Sequence, residues 1–501
     1  MEEQISNKGR HAPIDISPEQ FRSAGHVLID RIADLLATLR ERRVTAGLSV
    51  SEIRDLIGAS AGIPDDGSEI DLVLAQMTDL LTQYSLYNGH PKFLGYITSS
   101  PAPIGMLADL LAAAVNPNVG AWALSPVATE IEAQTIRWIA ELLAYPPTCS
   151  GVLVSGGNMA NYVGLYTALR TVFPRNSVAR APENIAKATV YASSETHTWI
   201  EKAIDMFGFP ADALRSIRVD SSRRLLLDDL QSRLAADLKG GRIPVAVVGT
   251  AGTVSTGAVD PLPAMAELCR EHKVWFHVDG AYGGFAAMAA NVPDDIRGLS
   301  QADSVAIDPH KWLYSPLEAG CALVRDPEKH RAAYSYHPPY YHFGEEATNF
   351  VDYGPQNSRG FRALKVWMGL RQVGRRGHER MIADDIALAR ELYDRLADDA
   401  DFEVCTHSLS IVTFRYVPEE YRDRMDDSAT KEYLNELNKA LQARLEISGE
   451  LFVSNAVLDD KYLLRACIVN FRTSLKDITE IPAIVCRHGR HVHQELLVKA
   501  R

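Results

Sequence analysis

The amino-acid sequence predicts an α/β fold, in which a mainly parallel sheet forms a large domain and a small α+β domain follows. Two observations support this prediction. From about residue 150, short and continuously apolar runs alternate with helical stretches, a pattern typical of parallel strands covered on both faces. After Gly374 a charged helical stretch leads into shorter strand-like segments. The apolar runs start at residues 151, 188, 244, 274, 304 and 320 and read GVLV, ATVYAS, PVAVVGT, VWFHV, SVAI and GCALV.

The first ninety residues predict helices. Ser17-Pro18-Glu19-Gln20 combines an N-cap serine, a proline at the first helical position and a glutamine at N3, which is a capping-box pattern. Another helix is expected to start at Ser125-Pro126 and to run to about Leu142. The apolar face of the N-terminal helices needs a cover, which is either the core of this chain or a partner subunit. We therefore divide the chain into a helical segment at 1–90, a large domain at 91–375 and a small domain at 376–501.

The composition argues against several classes of partner. The 501 residues include 52 basic and 64 acidic side chains, which gives a net charge of −12. This acidity disfavours binding to nucleic acid or anionic lipid. The amino terminus has no apolar signal region and no apolar run reaches 18 residues, so we expect a soluble cytoplasmic protein without a membrane partner. The six cysteines show no paired spacing, which predicts reduced thiols and neither disulfides nor a zinc knuckle.

Three histidines near the carboxyl terminus form the only pattern that suggests a metal. They are His488, His491 and His493, and no paired carboxylates accompany them. A solvated terminal helix explains them better than a metal centre. No metal site is therefore predicted.

Polar residues that follow the apolar runs are the first candidates for chemistry, because ligands of parallel α/β sheets bind beyond the carboxyl ends of the strands. Lys311 lies in DPHKW directly after SVAI, and a buried lysine there can form a Schiff base with an aldehyde. Asp279 ends the run VWFHVD, and an aspartate at such a place can keep a pyridinium nitrogen protonated. Taken alone, Lys311 also fits a solvated loop lysine, and Asp279 also fits an N-cap or an internal salt bridge.

Three other strand ends add complementary groups. Gly156, Gly157 and Asn158 form a strand-to-helix turn whose backbone N–H groups can approach an anion. The turn matches neither the Walker pattern nor the dinucleotide-binding glycine pattern. His197 follows the run at 188 and can stack on a flat ring or transfer a proton, while Thr253 follows the run at 244 and offers a hydroxyl. Together these strand ends contain the groups needed to hold pyridoxal phosphate.

At this point the sequence resembles the group II pyridoxal-phosphate-dependent amino-acid decarboxylases, a family that includes the aromatic L-amino-acid, histidine and glutamate decarboxylases. The resemblance spans nearly the whole chain, and the most specific part is HVDGAYGG followed by DPHKW. The matching segments are HPKFLGY at 90, SPVATEIE at 125, SGGNMAN at 155, HVDGAYGG at 277, DPHKW at 308, SRGFRALKVW at 358 and LLRACIVNFRT at 463.

The resemblance implies an aspartate-aminotransferase-like fold (fold type I), pyridoxal 5'-phosphate as cofactor, and a homodimer with its active sites at the subunit interface. In that arrangement the N-terminal helices cover the partner subunit. The implied reaction is decarboxylation of an L-amino acid, most readily an aromatic one, to the amine and CO₂. Alternatives that stay open are an oxidative variant that yields an aldehyde, a decarboxylase of a non-aromatic amino acid, and a non-catalytic scaffold.

The resemblance also implies roles for single residues. Lys311 carries the Schiff base, His310 relays a proton beside it, and Arg465 contacts the substrate carboxylate or packs the domains. The other implied residues each contact a different part of the cofactor. They are Asp279 at the pyridine nitrogen, Ala281 beneath the ring, His197 above it, Thr253 near it, and Gly156, Gly157, Asn158 and Asp308 at the phosphate.

Two positions bear on the substrate and the product. Gly120 stands where animal aromatic decarboxylases have an aromatic residue, so we expect open space in the substrate pocket there. Tyr340, in the proline-containing segment YSYHPPYYHF, aligns best with the family's catalytic tyrosine, and the adjacent Tyr341 is the alternative. A phenol can protonate Cα after CO₂ has left. In aldehyde-forming relatives the residue is typically phenylalanine, so the tyrosine predicts an amine as main product.

Overall fold

The computed structural model describes residues 12–336, 347–425 and 427–499. The N-terminal segment is helical, as predicted. The side chain of Ser17 accepts a hydrogen bond from the Gln20 N–H, and the Gln20 side chain accepts one from the Ser17 N–H, which confirms the predicted capping box. The helices of this segment are α1 (Pro18–Thr38), α2 (Val50–Leu56) and α3 (Ile70–Tyr84).

A mainly parallel sheet follows, and it accounts for the six apolar runs. Within the described residues it has seven strands in the order β2-β8-β7-β6-β5-β3-β4. Strands β3, β4, β5, β6 and β7 pair in parallel, whereas β8 is antiparallel to both of its neighbours. The strands are β2 (Ser150–Val154), β3 (Ala188–Ser193), β4 (Leu214–Ile217), β5 (Ile243–Thr250), β6 (Trp275–Asp279), β7 (Ser304–Ile307) and β8 (Gly320–Val324).

Helices connect and cover these strands. The predicted helix after Ser125 runs over Pro126–Leu142 and buries one face that includes Ile136 and Ile139. Because the strands are buried on both sides, their apolar runs are continuous rather than alternating. The helices of this region are α4 (Pro103–Val115), α5 (Pro126–Leu142), α6 (Gly157–Val172), α7 (Pro182–Ile185), α8 (Trp199–Met206), α9 (Leu227–Lys239), α10 (Leu262–His272) and α11 (Pro327–Tyr334).

A second, smaller sheet lies toward the carboxyl terminus. Its order in the described chain is β1-β11-β12-β10-β9, with β1 (Phe93–Leu94) paired in parallel with β11. The segment just after the predicted N-terminal boundary therefore pairs with a strand more than three hundred residues later in the chain. The other elements are α12 (Ala363–Ala397), β9 (Phe402–Ser408), β10 (Ile411–Tyr416), α13 (Ser428–Ser448), β11 (Phe452–Leu458), β12 (Lys461–Cys467) and α14 (Leu475–Lys499).

The long helix α12 joins the two sheets. Gly374 has φ 67° and ψ 170°, which breaks the helical backbone at this point. A left-handed φ of this kind is accessible to glycine at little cost. The break lies one residue from the predicted boundary between the large and small domains.

Two further expectations concern the cysteines and membrane-spanning helices. All six cysteines are free thiols. Within the described ranges, every helix is too short or too polar to cross a membrane.

Candidate active site

The carboxyl ends of the central strands bring the predicted residues to one edge of the sheet. Thr250, at the end of β5, is level with Asp279, at the end of β6, and Asp279 is level with Ala306 of β7. Lys311 follows β7 by a short turn, in which its N–H donates to the Asp308 carbonyl at 3.0 Å. Parallel pairing thus places the predicted carboxylate and the predicted lysine on neighbouring strand ends.

Lys311 is held by a buried carboxylate. Its Nζ lies 3.0 Å from Oδ2 of Asp308, and the two side chains are 17% and 2% exposed. A buried carboxylate is costly unless it is paired, so Asp308 stabilises the ammonium of Lys311. Oδ1 of Asp308 is buried and has no hydrogen-bond partner among the described residues. The family resemblance implies that Asp308 contacts the phosphate. In the structure, Oδ2 of Asp308 contacts Nζ of Lys311.

His310 is buried beside this pair. Its Nδ1 accepts a hydrogen bond from the Ala319 N–H at 3.1 Å, and its Nε2 lies 3.6 Å from Oδ2 of Asp308. Burial lowers the pKa of His310, and the negative charge of Asp308 opposes that effect in part. Since Nδ1 is an acceptor, the proton of the neutral ring resides on Nε2, which faces the Asp308–Lys311 pair.

Asp279 receives one donor at each carboxylate oxygen. The indole Nε1 of Trp199 donates to Oδ2 at 2.7 Å, and the Ala281 N–H donates to Oδ1 at 3.1 Å. Asp279 and Trp199 are 6% and 1% exposed. The sequence analysis missed Trp199, because a tryptophan at the start of a short amphipathic helix gives no local sign that its N–H points at an aspartate eighty positions away.

His197 interacts electrostatically with two charged groups of the site. Its Nδ1 accepts a hydrogen bond from the Trp199 N–H at 3.2 Å. The surrounding protein lowers the pKa of His197 by desolvation, Asp279 opposes this and Lys311 adds to it. The ring is therefore within electrostatic reach of both the predicted carboxylate and the predicted lysine, and His197 is exposed.

The turn after β2 forms a cradle with no room for side chains. A Cβ at Gly157 would lie 2.7 Å from Oδ2 of Asp308 and 3.0 Å from the Cβ of Ala281. Gly156 has φ +146° and precedes α6 as its N-cap, and no side chain caps the helix there. Asn158 is exposed in the first turn. Free N–H groups at a helix N-terminus favour an anion.

The side chains and backbone N–H groups of this site fit a cofactor that carries an anionic group, an aldehyde and a ring nitrogen. The cradle and the helix N-terminus suit an anionic group, Lys311 suits an aldehyde, and Asp279 suits a protonated ring nitrogen. Oδ1 of Asp308, which is buried and has no partner in the part of the chain that the structure describes, is a further sign that this space serves a polar group. The predicted residues that meet here are Lys311, His310, Asp308, Asp279, Ala281, His197, Gly156, Gly157 and Asn158.

Thr253 and Arg465 have other partners. The Thr253 hydroxyl is 2.9 Å from the Thr256 hydroxyl and accepts from the Ala258 N–H at 3.1 Å, so it stabilises its own loop. Arg465 donates to the Ser454 hydroxyl at 2.9 Å and to the Val254 carbonyl at 2.5 Å. Of the two roles considered for Arg465, these contacts support packing between the domains. Tyr340 and Tyr341 lie outside the described residues.

A buried ion pair explains two motifs to which no role was assigned. Nη1 of Arg359, in SRGFR, donates to Oε2 of Glu132, in SPVATEIE, at 3.1 Å. The two side chains are 2% and 0% exposed. Arg359 also donates to the carbonyls of Val119 and Leu153 at 2.8 and 2.7 Å. The pair therefore ties the segment around Gly120 to β2, which leads into the glycine cradle.

Gly120 does not border open space within one chain. A Cβ there would lie 2.3 Å from the carbonyl oxygen of Asn357 and 3.2 Å from Val351. The expectation of free space at this position is wrong, because the main chain of another segment fills it. The contact is between residues far apart in sequence, so the glycine alone did not reveal it.

Known proteins resemble this chain in both sequence and structure. The family model described as the pyridoxal-dependent decarboxylase conserved domain matches residues 54–417. Aromatic-L-amino-acid decarboxylase of Bacillus atrophaeus is 32% identical over 473 residues, which cover 93% of this chain and 95% of that protein. Phenylacetaldehyde synthase of Arabidopsis thaliana is 30% identical, with 93% of this chain and 95% of that protein covered. The structure of Oryza sativa TDC with PLP and tryptamine matches with a TM-score of 0.88 and 26% identity, over 96% of this chain and 99% of that one.

Proposed function

The chain belongs to the pyridoxal-dependent decarboxylase family, and from this premise we propose that it converts an aromatic L-amino acid to the amine and CO₂. It is a PLP-dependent carboxy-lyase of the aspartate-aminotransferase-like fold, with pyridoxal 5'-phosphate as cofactor. The observation that carries the assignment of the site is the placement of Lys311, paired with Asp308, beside the strand that ends in Asp279.

The residues of the site have different proposed roles toward the cofactor. Pyridoxal phosphate supplies an aldehyde that condenses with amines and a protonated ring that withdraws electrons from Cα. Lys311 would present the amine for the aldehyde, and Asp308 would orient it. Asp279 would hold the proton of the ring nitrogen, and the cradle at Gly156–Asn158 would bind the phosphate. In the reaction the bond from Cα to the carboxylate breaks, CO₂ leaves and Cα gains one proton.

We assign different roles to His197 and His310. His197 contributes a neutral ring for stacking, since desolvation lowers its pKa. His310 is a proton-relay residue, because its Nε2–H faces the Asp308–Lys311 pair. Tyr340, in the proline-containing segment YSYHPPYYHF, is the proposed acid that protonates Cα.

An aromatic substrate is supported by the relatives. The similarity to aromatic-L-amino-acid decarboxylase points to the same substrate class.

A second candidate function is oxidative, since the chain is also similar to phenylacetaldehyde synthase. In that reaction the amino acid, O₂ and water give the aldehyde, CO₂, ammonia and hydrogen peroxide. A screen of the twenty amino acids that detects amine and aldehyde together separates the candidates. We expect an amine from tyrosine, tryptophan, phenylalanine or DOPA, added as a further substrate. Turnover of only non-aromatic amino acids would refute the aromatic assignment.

We also propose a cytoplasmic homodimer that uses the exposed face of α4. Leu107, Leu110, Leu111 and Val115 recur on one side of this helix and are 50–67% exposed. Contiguous exposed apolar residues mark interaction surfaces. Leu111→Glu is expected to convert a dimer to a monomer in sedimentation, whereas Val178→Glu, at an isolated residue that is 92% exposed, is not. A monomeric wild-type protein would contradict the proposal.

A further inference from the structure

We propose that Trp199 is a positioning residue that fixes Asp279 and His197 together, and that it thereby sets the protonation of the bound cofactor's ring nitrogen. This inference rests on the proposed roles of Asp279 and His197. It assigns to a residue outside the predicted site the task of orienting two residues within it.

Trp199 uses two different N–H groups for these contacts. Its indole Nε1 donates to Oδ2 of Asp279 at 2.7 Å, and its backbone N–H donates to Nδ1 of His197 at 3.2 Å. The first contact links α8 to the end of β6, and the second lies within the turn that opens α8. One residue therefore relates the stacking imidazole to the carboxylate, although they follow different strands.

The side chain of Trp199 is well suited to hold a fixed position. It is 1% exposed. Its ring packs edge-on against the ring of Tyr162, with centroids 6.5 Å apart, and against the ring of His277, with centroids 5.8 Å apart. His277 is itself fixed, because its two nitrogens lie 2.8 Å from the Ser304 hydroxyl and 2.8 Å from Oδ1 of Asn161. Close packing of this kind leaves the indole N–H few alternatives to Asp279.

The contact to Asp279 acts on charge as well as on position. Hydrogen bonds to a carboxylate favour its ionised form. Asp279 has two such donors, Trp199 and the Ala281 N–H. An ionised carboxylate stabilises a protonated ring nitrogen through a charge-assisted hydrogen bond. Loss of the indole N–H is therefore expected to weaken cofactor binding and to lower the pKa of the ring nitrogen.

The contact to His197 selects a tautomer. A nitrogen that accepts a hydrogen bond carries no proton, so the Trp199 N–H leaves the proton of neutral His197 on Nε2. Because this donor is a backbone group, it persists when the side chain is changed. A substitution of Trp199 thus separates the effect on Asp279 from the effect on His197.

The test compares Trp199→Phe with Trp367→Phe in the full-length protein. Trp367 is half-buried, and its indole donates to the side-chain oxygen of Gln134 at 2.7 Å rather than to a carboxylate. Two quantities are measured for each protein with pyridoxal phosphate, namely the dissociation constant and the pH titration of the visible absorbance of the bound cofactor. Thermal unfolding of the protein without cofactor reports packing alone.

We expect Trp199→Phe to weaken cofactor binding by about tenfold or more, the size of a lost hydrogen bond to a charged group, and to shift the absorbance titration relative to that of the wild type. Trp367→Phe should alter thermal unfolding without changing either cofactor quantity. If Trp199→Phe folds and leaves both cofactor quantities unchanged, or if Trp367→Phe changes them equally, the positioning role is refuted.

Two further variants keep the result decisive. Trp199→Leu also removes the indole donor and replaces Trp199→Phe if the latter does not fold. Asp279→Asn tests the underlying assignment. If Asp279→Asn leaves the titration unchanged, the proposed role of Asp279 fails. If Asp279→Asn shifts it and Trp199→Phe does not, only the inference about Trp199 fails.

Discussion

Nζ of Lys311 lies 3.0 Å from Oδ2 of Asp308, a carboxylate that is 2% exposed and has no partner at its other oxygen in the described chain. The pair links stability to the proposed function, because the lysine proposed to react with the cofactor also neutralises a buried charge. A change at either residue should therefore affect both stability and turnover. A change at both residues should restore stability without restoring turnover.

The first prediction concerns this pair. Lys311→Ala should abolish turnover and the visible absorbance of the bound cofactor, while the chain still folds. Because Asp308 is then left buried without its cation, the free energy of unfolding without cofactor should fall by about 1–3 kcal/mol. Adding Asp308→Asn should restore much of that stability but no turnover. Denaturant unfolding and an amine assay check both parts, and full activity in Lys311→Ala would exclude the Schiff-base role.

The second prediction concerns the crowded position Gly120. Gly120→Ala should lower the free energy of unfolding by about 1–3 kcal/mol, the usual cost of overpacking, because the added Cβ would meet the Asn357 carbonyl oxygen at 2.3 Å. Gly360→Ala is the matched control, since no atom lies within 4 Å of its added Cβ. Equal stability of the two variants in urea unfolding would show that the segment at Asn357 yields without cost.

The third prediction concerns the pH dependence of stability. Asp385 is buried on α12 and accepts hydrogen bonds from Tyr314 at 2.7 Å and from Trp312 at 3.1 Å. Burial raises the pKa of Asp385 from 3.8 to about 7. Between these two values the folded protein binds more protons at this site than the unfolded chain does. Its contribution to stability is therefore complete below the lower value and is lost as the pH rises toward the higher one.

Asp385→Asn keeps the neutral form at every pH. Relative to wild type, its free energy of unfolding should rise with pH between 3.8 and about 7, by at most about 1.4 kcal/mol per pH unit. Urea unfolding at several pH values measures this difference. Gly360→Ala changes no titratable group and adds a Cβ with no atom within 4 Å, so it should give a difference that does not change with pH. A flat profile for Asp385→Asn would mean that Asp385 does not titrate in this window.

The fourth prediction concerns the product. Tyr340→Phe removes a phenol that can protonate Cα, so it should slow formation of the amine and raise the yields of aldehyde and hydrogen peroxide. Amine and peroxide assays on the same sample measure the ratio, with Tyr341→Phe as the matched control. If only Tyr341→Phe changes the ratio, the assignment is off by one residue. If the wild type makes mainly aldehyde, the amine prediction is wrong.

Local signals in the sequence predicted much of the fold and the site. Continuous apolar runs identified six of the seven described strands of the mainly parallel sheet and missed β4, and SPEQ identified the start of α1. The site followed from topology, because parallel strands align their carboxyl ends, so residues such as Asp279 and Lys311 could be grouped before any distance was known. The family, its fold and its cofactor, as the resemblance implied them, are confirmed by the comparisons.

Contacts between distant parts of the chain were decided only by the tertiary structure. The indole of Trp199 reaches Asp279, the carbonyl of Asn357 fills the space beside Gly120, and Phe93–Leu94 pairs with β11. Each contact depends on the relative placement of elements that are distant in the chain. No local sequence pattern predicts that placement, because a tryptophan or a glycine has the same local pattern whichever residue it contacts. The sequence by itself determined which chemical groups this protein brings to the sheet edge, and packing decided which partners orient them.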